Sequence, residues 1–165
     1  MASVPALVTE DAAVFRSALP LGGVLLGLDL GTRTIGTALC DAGWSFATAG
    51  KTLPKGKFSR DRAALADICK ARSVAGLVLG LPLNMDGSAG PRVQASRAFA
   101  RNLAQPQSGL GLPVLLWDER WSTTAAERDM IATDTSRKKR AERIDSHAAA
   151  IILQGAIDRL AGGIL

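Results

Sequence analysis

The chain has 165 residues, 47% hydrophobic and 21% charged, enough for one domain with a core and too few for two ordinary ones. A net charge of +5 and a pI near 9.8 suit a polyanionic partner such as nucleic acid. The single histidine leaves almost no room for a classical zinc site, and Cys40 and Cys69 lack ligand spacing and read as reduced core thiols. No apolar stretch reaches the about 20 residues of a membrane span, and the N-terminus lacks a basic signal region, so a cytoplasmic protein without membrane contact is expected.

Residues 1–21 read as a loosely ordered extension ending near Pro20, followed by one domain over 22–165. Val24–Leu30 is an apolar run of the kind found in a fully buried strand. After a tight Gly31-Thr32-Arg33 connection, Thr34–Cys40 predicts an antiparallel partner, and Phe46–Leu53 a third strand. Pro54-Lys55-Gly56-Lys57 breaks that strand. Ser59 is a candidate N-cap for a helix to about Ser73, with Leu65, Ile68 and Cys69 on its apolar stripe. Gly76–Pro82 predicts the fourth strand, Pro91–Ala104 a helix, and Pro113–Trp117 the fifth strand, closed by Asp118-Glu119. Ser122 or Thr123 caps a further helix fading by Asp134. Thr135–Arg143 is a polar, very basic stretch expected to be a loop, and the last helix is expected from Asp145 to Leu160. The order predicts an α/β fold: a five-stranded mixed sheet, three antiparallel strands then two parallel ones, flanked by helices.

Four acids stand out. Asp29 ends an apolar strand, where a carboxylate is costly to desolvate unless a positive charge sits beside it. Asp118 and Glu119 end the fifth strand, and Asp145 opens the expected last helix. If the first and fifth strands are parallel neighbours, their carboxyl ends share one rim, the usual ligand edge of an open α/β sheet. Converging carboxylates suit hard cations such as Mg²⁺ or Mn²⁺, and two ions can clamp the attacking and leaving oxygens of phosphodiester hydrolysis. The bland alternatives are a helix-dipole role for Asp145 and solvated strand-end acids at Asp118 and Glu119. An Asp-Leu-Gly-Thr turn also fits a nucleotide-phosphate cradle, which keeps a nucleotide-binding domain of the actin and sugar-kinase type as a competitor.

The segments Gly27–Gly36 (GLDLGTRTIG), Gly80–Ser88 (GLPLNMDGS), Asp118–Thr123 (DERWST) and Asp145–Ala150 (DSHAAA) together resemble, in order, the motifs of the YqgF/RuvX family. That family is described both as Holliday-junction resolvases and as pre-16S rRNA nucleases, with an RNase H-like fold. The resemblance covers about residues 22 to 160 and leaves the first 21 without a functional reading. It implies Asp29, Glu119 and Asp145 as catalytic and metal-binding acids, with Asp118 a further metal ligand, and a part in ribosomal RNA maturation. RuvC-type resolvases carry a glutamate on the fourth strand. Leu79-Gly80-Leu81-Pro82 has no acid there, so Glu119 takes that place in this reading.

Arg137, Lys138, Lys139 and Arg140 form the strongest basic run and are candidate phosphate contacts; a solvated charged face is the alternative. Arg33 and Arg120 follow motif acids and either touch phosphates or pair with those acids. Trp117 reads as core, and Trp121 as a base-stacking candidate. His147 reads as a hydrogen-bonded helix residue or a proton shuttle. The expected activity is metal-dependent hydrolysis of structured nucleic acid, pre-16S rRNA first and branched DNA second, by a monomer or homodimer. A non-catalytic nucleic-acid-binding factor in transcription or ribosome assembly is the remaining alternative.

Overall fold

The computed structural model describes residues 4–20, 22–84, 86–121 and 137–162; of residue 121 and residues 137–145 it describes the backbone alone. The helix expected from Ser122 or Thr123 lies outside the described residues. The elements are β1 (Val8–Thr9), α1 (Ala12–Ser17), β2 (Val24–Leu30), β3 (Thr34–Cys40), β4 (Ala47–Pro54), α2 (Phe58–Arg72), β5 (Val74–Leu81), α3 (Pro91–Ala104), β6 (Val114–Asp118), a 3-10 turn (Glu119–Trp121) and α4 (Arg137–Gly162).

Among the described residues the sheet has six strands in the order β1-β6-β5-β2-β3-β4, one more than expected. The additional strand comes from the N-terminal segment. Val8–Thr9 pairs in parallel with Val114–Leu115, a pairing too short to leave a periodic signal in sequence. Asp11 then caps α1 through the amides of Ala13 and Val14, and Phe15, fully buried, docks on Gly76. Thus part of the segment expected to be loose packs onto the domain.

The antiparallel front half, β2-β3-β4, is as expected, and β5 and β6 run parallel to β2 and to each other. The first and fifth expected strands, now β2 and β6, are not neighbours, because β5 lies between them. Helix α2 begins two residues earlier than expected, with Lys57 rather than Ser59 at the N-cap. Pro54 ends β4 on the sheet edge, where its missing N–H breaks no ladder.

β2 is apolar at every position but Asp29 because both of its faces are covered. Leu26, Leu28 and Leu30 face a core shared with Leu65 of α2 and Val93, Phe99 and Leu103 of α3. Leu25, Val78, Leu115 and Trp117 face the other core, built by Ala149, Ile152, Leu153 and Ala156 of α4. Glycine brings α4 close to the sheet: a Cβ on Gly27 would stand 2.7 Å from the Leu153 Cβ and 3.1 Å from the Ala149 carbonyl oxygen. α4 begins at Arg137, so the basic run expected as a loop is helical and Asp145 lies inside the helix. Arg, Lys, Ala and Glu are all good helix formers, and a core-packed helix extends readily into such a sequence.

Candidate active site

Asp29 is the next-to-last residue of β2 and is only 4% exposed. Side chains alternate along a strand, so Asp29 shares the α4 face with Leu25 and Gly27. It pairs across β3 with Gly36. The parallel register Leu28↔Leu79, carried one residue on, sets Asp29 beside Gly80 of β5. Gly80 in turn pairs with Trp117 of β6. β5 thus separates the two acid-bearing strands with a residue that has no side chain.

The space above Gly80 is filled from β6. A Cβ there would lie 3.1 Å from both Cγ and Cδ of Glu119, and 2.6 Å from Cδ1 of Ile152. Glu119, half-buried in the 3-10 turn after β6, therefore folds back over β5 toward the strand that carries Asp29. A glycine in the middle strand is the signal in sequence for this arrangement, and it is legible only once the strand order is known.

Asp145 comes from the same face. Helix α4 runs antiparallel to β2 and β4: Gln154 accepts from the Ala47 amide at one end of β4, and Ser146 hydrogen-bonds Thr52 near the other. Asp29 is two residues beyond Gly27, about 7 Å along the strand. Asp145 is one turn before Ala149, about 5.4 Å along the helix in the same direction. The backbone therefore carries Asp145 to the level of Asp29; its side chain lies outside the described residues. Among the described side chains, no group of three His, Cys, Asp or Glu is close enough to hold a metal ion.

Asp118 has a different setting. Its carboxylate, 8% exposed, accepts from Nε of Arg120 at 3.1 Å, from Nη2 at 2.7 Å and from the Arg120 amide at 3.0 Å. These hydrogen bonds hold its pKa below the ordinary aspartate value, against the opposing effect of burial. The Arg120 guanidinium reaches on to the Asn84–Ser88 loop, 3.3 Å from where a Gly87 Cβ would stand. Gly87 has φ of +86°, which favours glycine at this turn. Asp86 closes the loop by accepting from the Ser88 amide and hydroxyl, which lowers its pKa. Of the two roles expected for Arg120, pairing with a motif acid is present in the fold, with Asp118 as the acid.

Arg33 is exposed in the β2–β3 turn, and its carbonyl accepts from the Lys55 amide at 2.9 Å. Arg137, Lys138, Lys139 and Arg140 form the first turn of α4, two turns beyond Asp145. Trp117 is buried in the α4 core, as expected. His147 is half-buried on α4, and only the backbone of Trp121 is described.

The sequence profile of the RuvX family, described as Holliday junction resolvase, matches residues 23–159. The chain belongs to the RuvX family. A relative from Sphingopyxis alaskensis is 64% identical over 93% of this chain and 99% of its own length, and bears the name "Putative pre-16S rRNA nuclease". One from Novosphingobium aromaticivorans, of the same name, is 62% identical over 94% of this chain and 98% of its own. The fold resembles Thermus thermophilus RuvC, solved in complex with a Holliday junction substrate, with a TM-score of 0.53 and 13% identity over 85% of this chain and 96% of that one. The architecture is therefore RNase H-like, and membership of the RuvX family makes the protein a hydrolase of the nuclease class. Among the described residues no helix is long and apolar enough to cross a membrane.

Proposed function

We propose that this RuvX protein hydrolyses phosphodiester bonds of precursor 16S rRNA in the cytoplasm, with Asp29, Glu119 and Asp145 as its catalytic, metal-holding acids. The observation that carries this reading is the Glu119 side chain lying over Gly80, one strand from Asp29 and on the face bearing α4. The donor chemistry fits a hard divalent ion, Mg²⁺ or Mn²⁺, since such ions prefer the oxygen ligands that carboxylates supply. Two ions, when bound, supply an activated water and a counter-charge for the departing oxygen.

The protein's own contribution is rigidity. Asp29 sits on a central strand covered on both faces, so its carboxylate stays in one place. Glu119 is held on a single 3-10 turn, whose partner Arg120 is locked to Asp118. In this reading Asp118, the adjacent candidate ligand, positions Glu119 through that clamp. Arg33, Arg137, Lys138, Lys139 and Arg140 contact substrate phosphates, and Arg120 does so only with the donors that Asp118 leaves it. The fully extended match to relatives named for pre-16S rRNA favours RNA as substrate. The family description as a Holliday junction resolvase favours branched DNA as the second reading, with a homodimer rather than a monomer acting on the two-fold junction.

The test is cleavage of pre-16S rRNA and of a four-way DNA junction, side by side, by wild type and Asp29→Asn with Mg²⁺ or Mn²⁺. Cutting of the RNA by wild type alone supports the proposal. Cutting of the junction alone transfers it to DNA. Binding without cutting of either would replace it with a non-catalytic nucleic-acid-binding factor.

A further inference from the structure

Five exposed or half-exposed cations, Arg33, Lys51, Lys55, Lys57 and Arg60, lie on or beside the link from β4 to α2. Among the described residues none of them is in an ion pair, whereas Arg97 pairs with Glu10 and Arg120 with Asp118. Asp61, the acid nearest the link in sequence, is 3% exposed and turned inward, accepting from the Gly56 amide at 3.0 Å. It therefore fixes the link without screening the cations from solvent.

The link is also rigid. The Lys55 amide donates to the Arg33 carbonyl, and the Arg60 amide to the Lys57 carbonyl. Phe58 packs edge-on against Phe99 with ring centroids 5.6 Å apart, which anchors the first turn of α2. The Arg60 guanidinium lies over Gly56, 3.1 Å from where a Cβ would be. Lys57 at the N-cap makes no capping bond through its side chain, and Asp61 in that turn offsets the positive end of the α2 dipole, so the field there is that of the cations. The position follows from register. Asp29 pairs with Gly36 and Gly36 with Thr52, and Lys55 is three residues further on, just past the end of β4. That separation is roughly 10 Å along the strands and about 10 Å across two strand spacings.

We propose that Lys55, Lys57 and Arg60, with Arg33, form a second phosphate-binding surface that holds the nucleic-acid backbone several nucleotides from the cleavage point. It rests on the reading of the Asp29 rim as the cleavage site. Isolated surface cations this close together repel one another, and a phosphodiester backbone relieves that repulsion while releasing counterions.

Affinity is measured by fluorescence anisotropy against KCl concentration, without divalent ions, for a labelled RNA hairpin and a labelled four-way DNA junction. Lys55→Gln/Lys57→Gln is compared with Lys70→Gln/Arg72→Gln, two exposed cations at the opposite end of α2. The first pair is expected to reduce the log–log salt slope by about 0.9 per cation removed, and the second to leave it unchanged. Lys55→Arg/Lys57→Arg keeps the slope, which separates charge from folding. Equal effects of the two glutamine pairs, or no effect of either, would overturn the proposal. A slope change on both probes supports a backbone-reading surface, and a change on one names the nucleic acid it serves. The nuclease reading fails separately: a changed slope with no cleavage by wild type keeps this surface and removes that activity.

Discussion

Replacing Gly80 by alanine tests the placement of Glu119 directly. The new methyl would stand 2.6 Å from Ile152 Cδ1 and 3.1 Å from Glu119 Cγ and Cδ. Carbon atoms pack best about 3.5–4.0 Å apart, so the Ile152 methyl must withdraw by about 1 Å and Glu119 by a few tenths. Ile152 is fully buried in the α4 core, so it yields only by displacing packed neighbours. Overpacking of this kind costs about 1–3 kcal/mol. For a domain of this size each kcal/mol lowers the midpoint of thermal unfolding by about 2–4 °C. Activity is expected to fall as well, by less than the about hundredfold that a misplacement near 1 Å can cost, because Glu119 shifts by only a few tenths of an ångström. Ile152→Val separates the two effects, since it removes the very methyl that collides. Gly80→Ala/Ile152→Val is therefore expected to regain most of the lost stability while cleavage stays low. Melting curves and metal-dependent cleavage rates on the two variants and wild type are the assay. Full recovery of cleavage together with stability would refute the reasoning, because Glu119 would then not depend on the empty position over β5.

Three further outcomes follow from the same geometry. Asp118→Asn removes a charge-assisted fork from Arg120, so it is expected to cost about 1.5–3 kcal/mol; faster hydrogen exchange at residues 84–88 would show the loop losing its tie, and unchanged exchange would count against the clamp. Asp118 and Asp86 both have folded pKa values below the ordinary one, so their stabilising effect is complete above the usual carboxylate range and is lost as pH falls through the lower folded values. A melting series from neutral pH to about pH 3 should decline at the acid end, and the decline should be shallower in Asp118→Asn. Mg²⁺ or Mn²⁺ is expected to raise the unfolding temperature of wild type in proportion to ln(1 + [metal]/Kd), and to leave Asp29→Asn unmoved. An equal rise in both proteins would remove Asp29 from the metal-holding set.

Much of the fold is visible in local pattern. The bounds of β2 and β3 are those of their apolar runs, and α3 runs over Pro91–Ala104 as its proline start and spacing predict. These signals are local: strand burial on two faces, turn chemistry after Leu30, and proline at the first helical position. Asp29 was legible for the same reason, as an acid that a buried strand would not otherwise hold. Asp145 was found by motif, but its place inside a long helix was not, because a basic, polar stretch has no apolar stripe with which to announce one.

Tertiary structure alone decided the rest. The sixth strand needs β6 as its template, and two residues carry no periodicity of their own. That β5 separates β2 from β6 is a matter of pairing between distant segments, and Gly80 acquires its meaning only from that order. The fork that Arg120 makes with Asp118 is likewise a product of the folded chain. Pro54-Lys55-Gly56-Lys57 reads as a strand breaker in sequence; only the fold turns Asp61 inward and leaves these cations outside any ion pair among the described residues. In each case the sequence by itself determined which groups the chain carries and how each short segment folds. Which groups meet depended on long-range strand pairing and helix packing, whose free energy is shared among residues far apart in the chain.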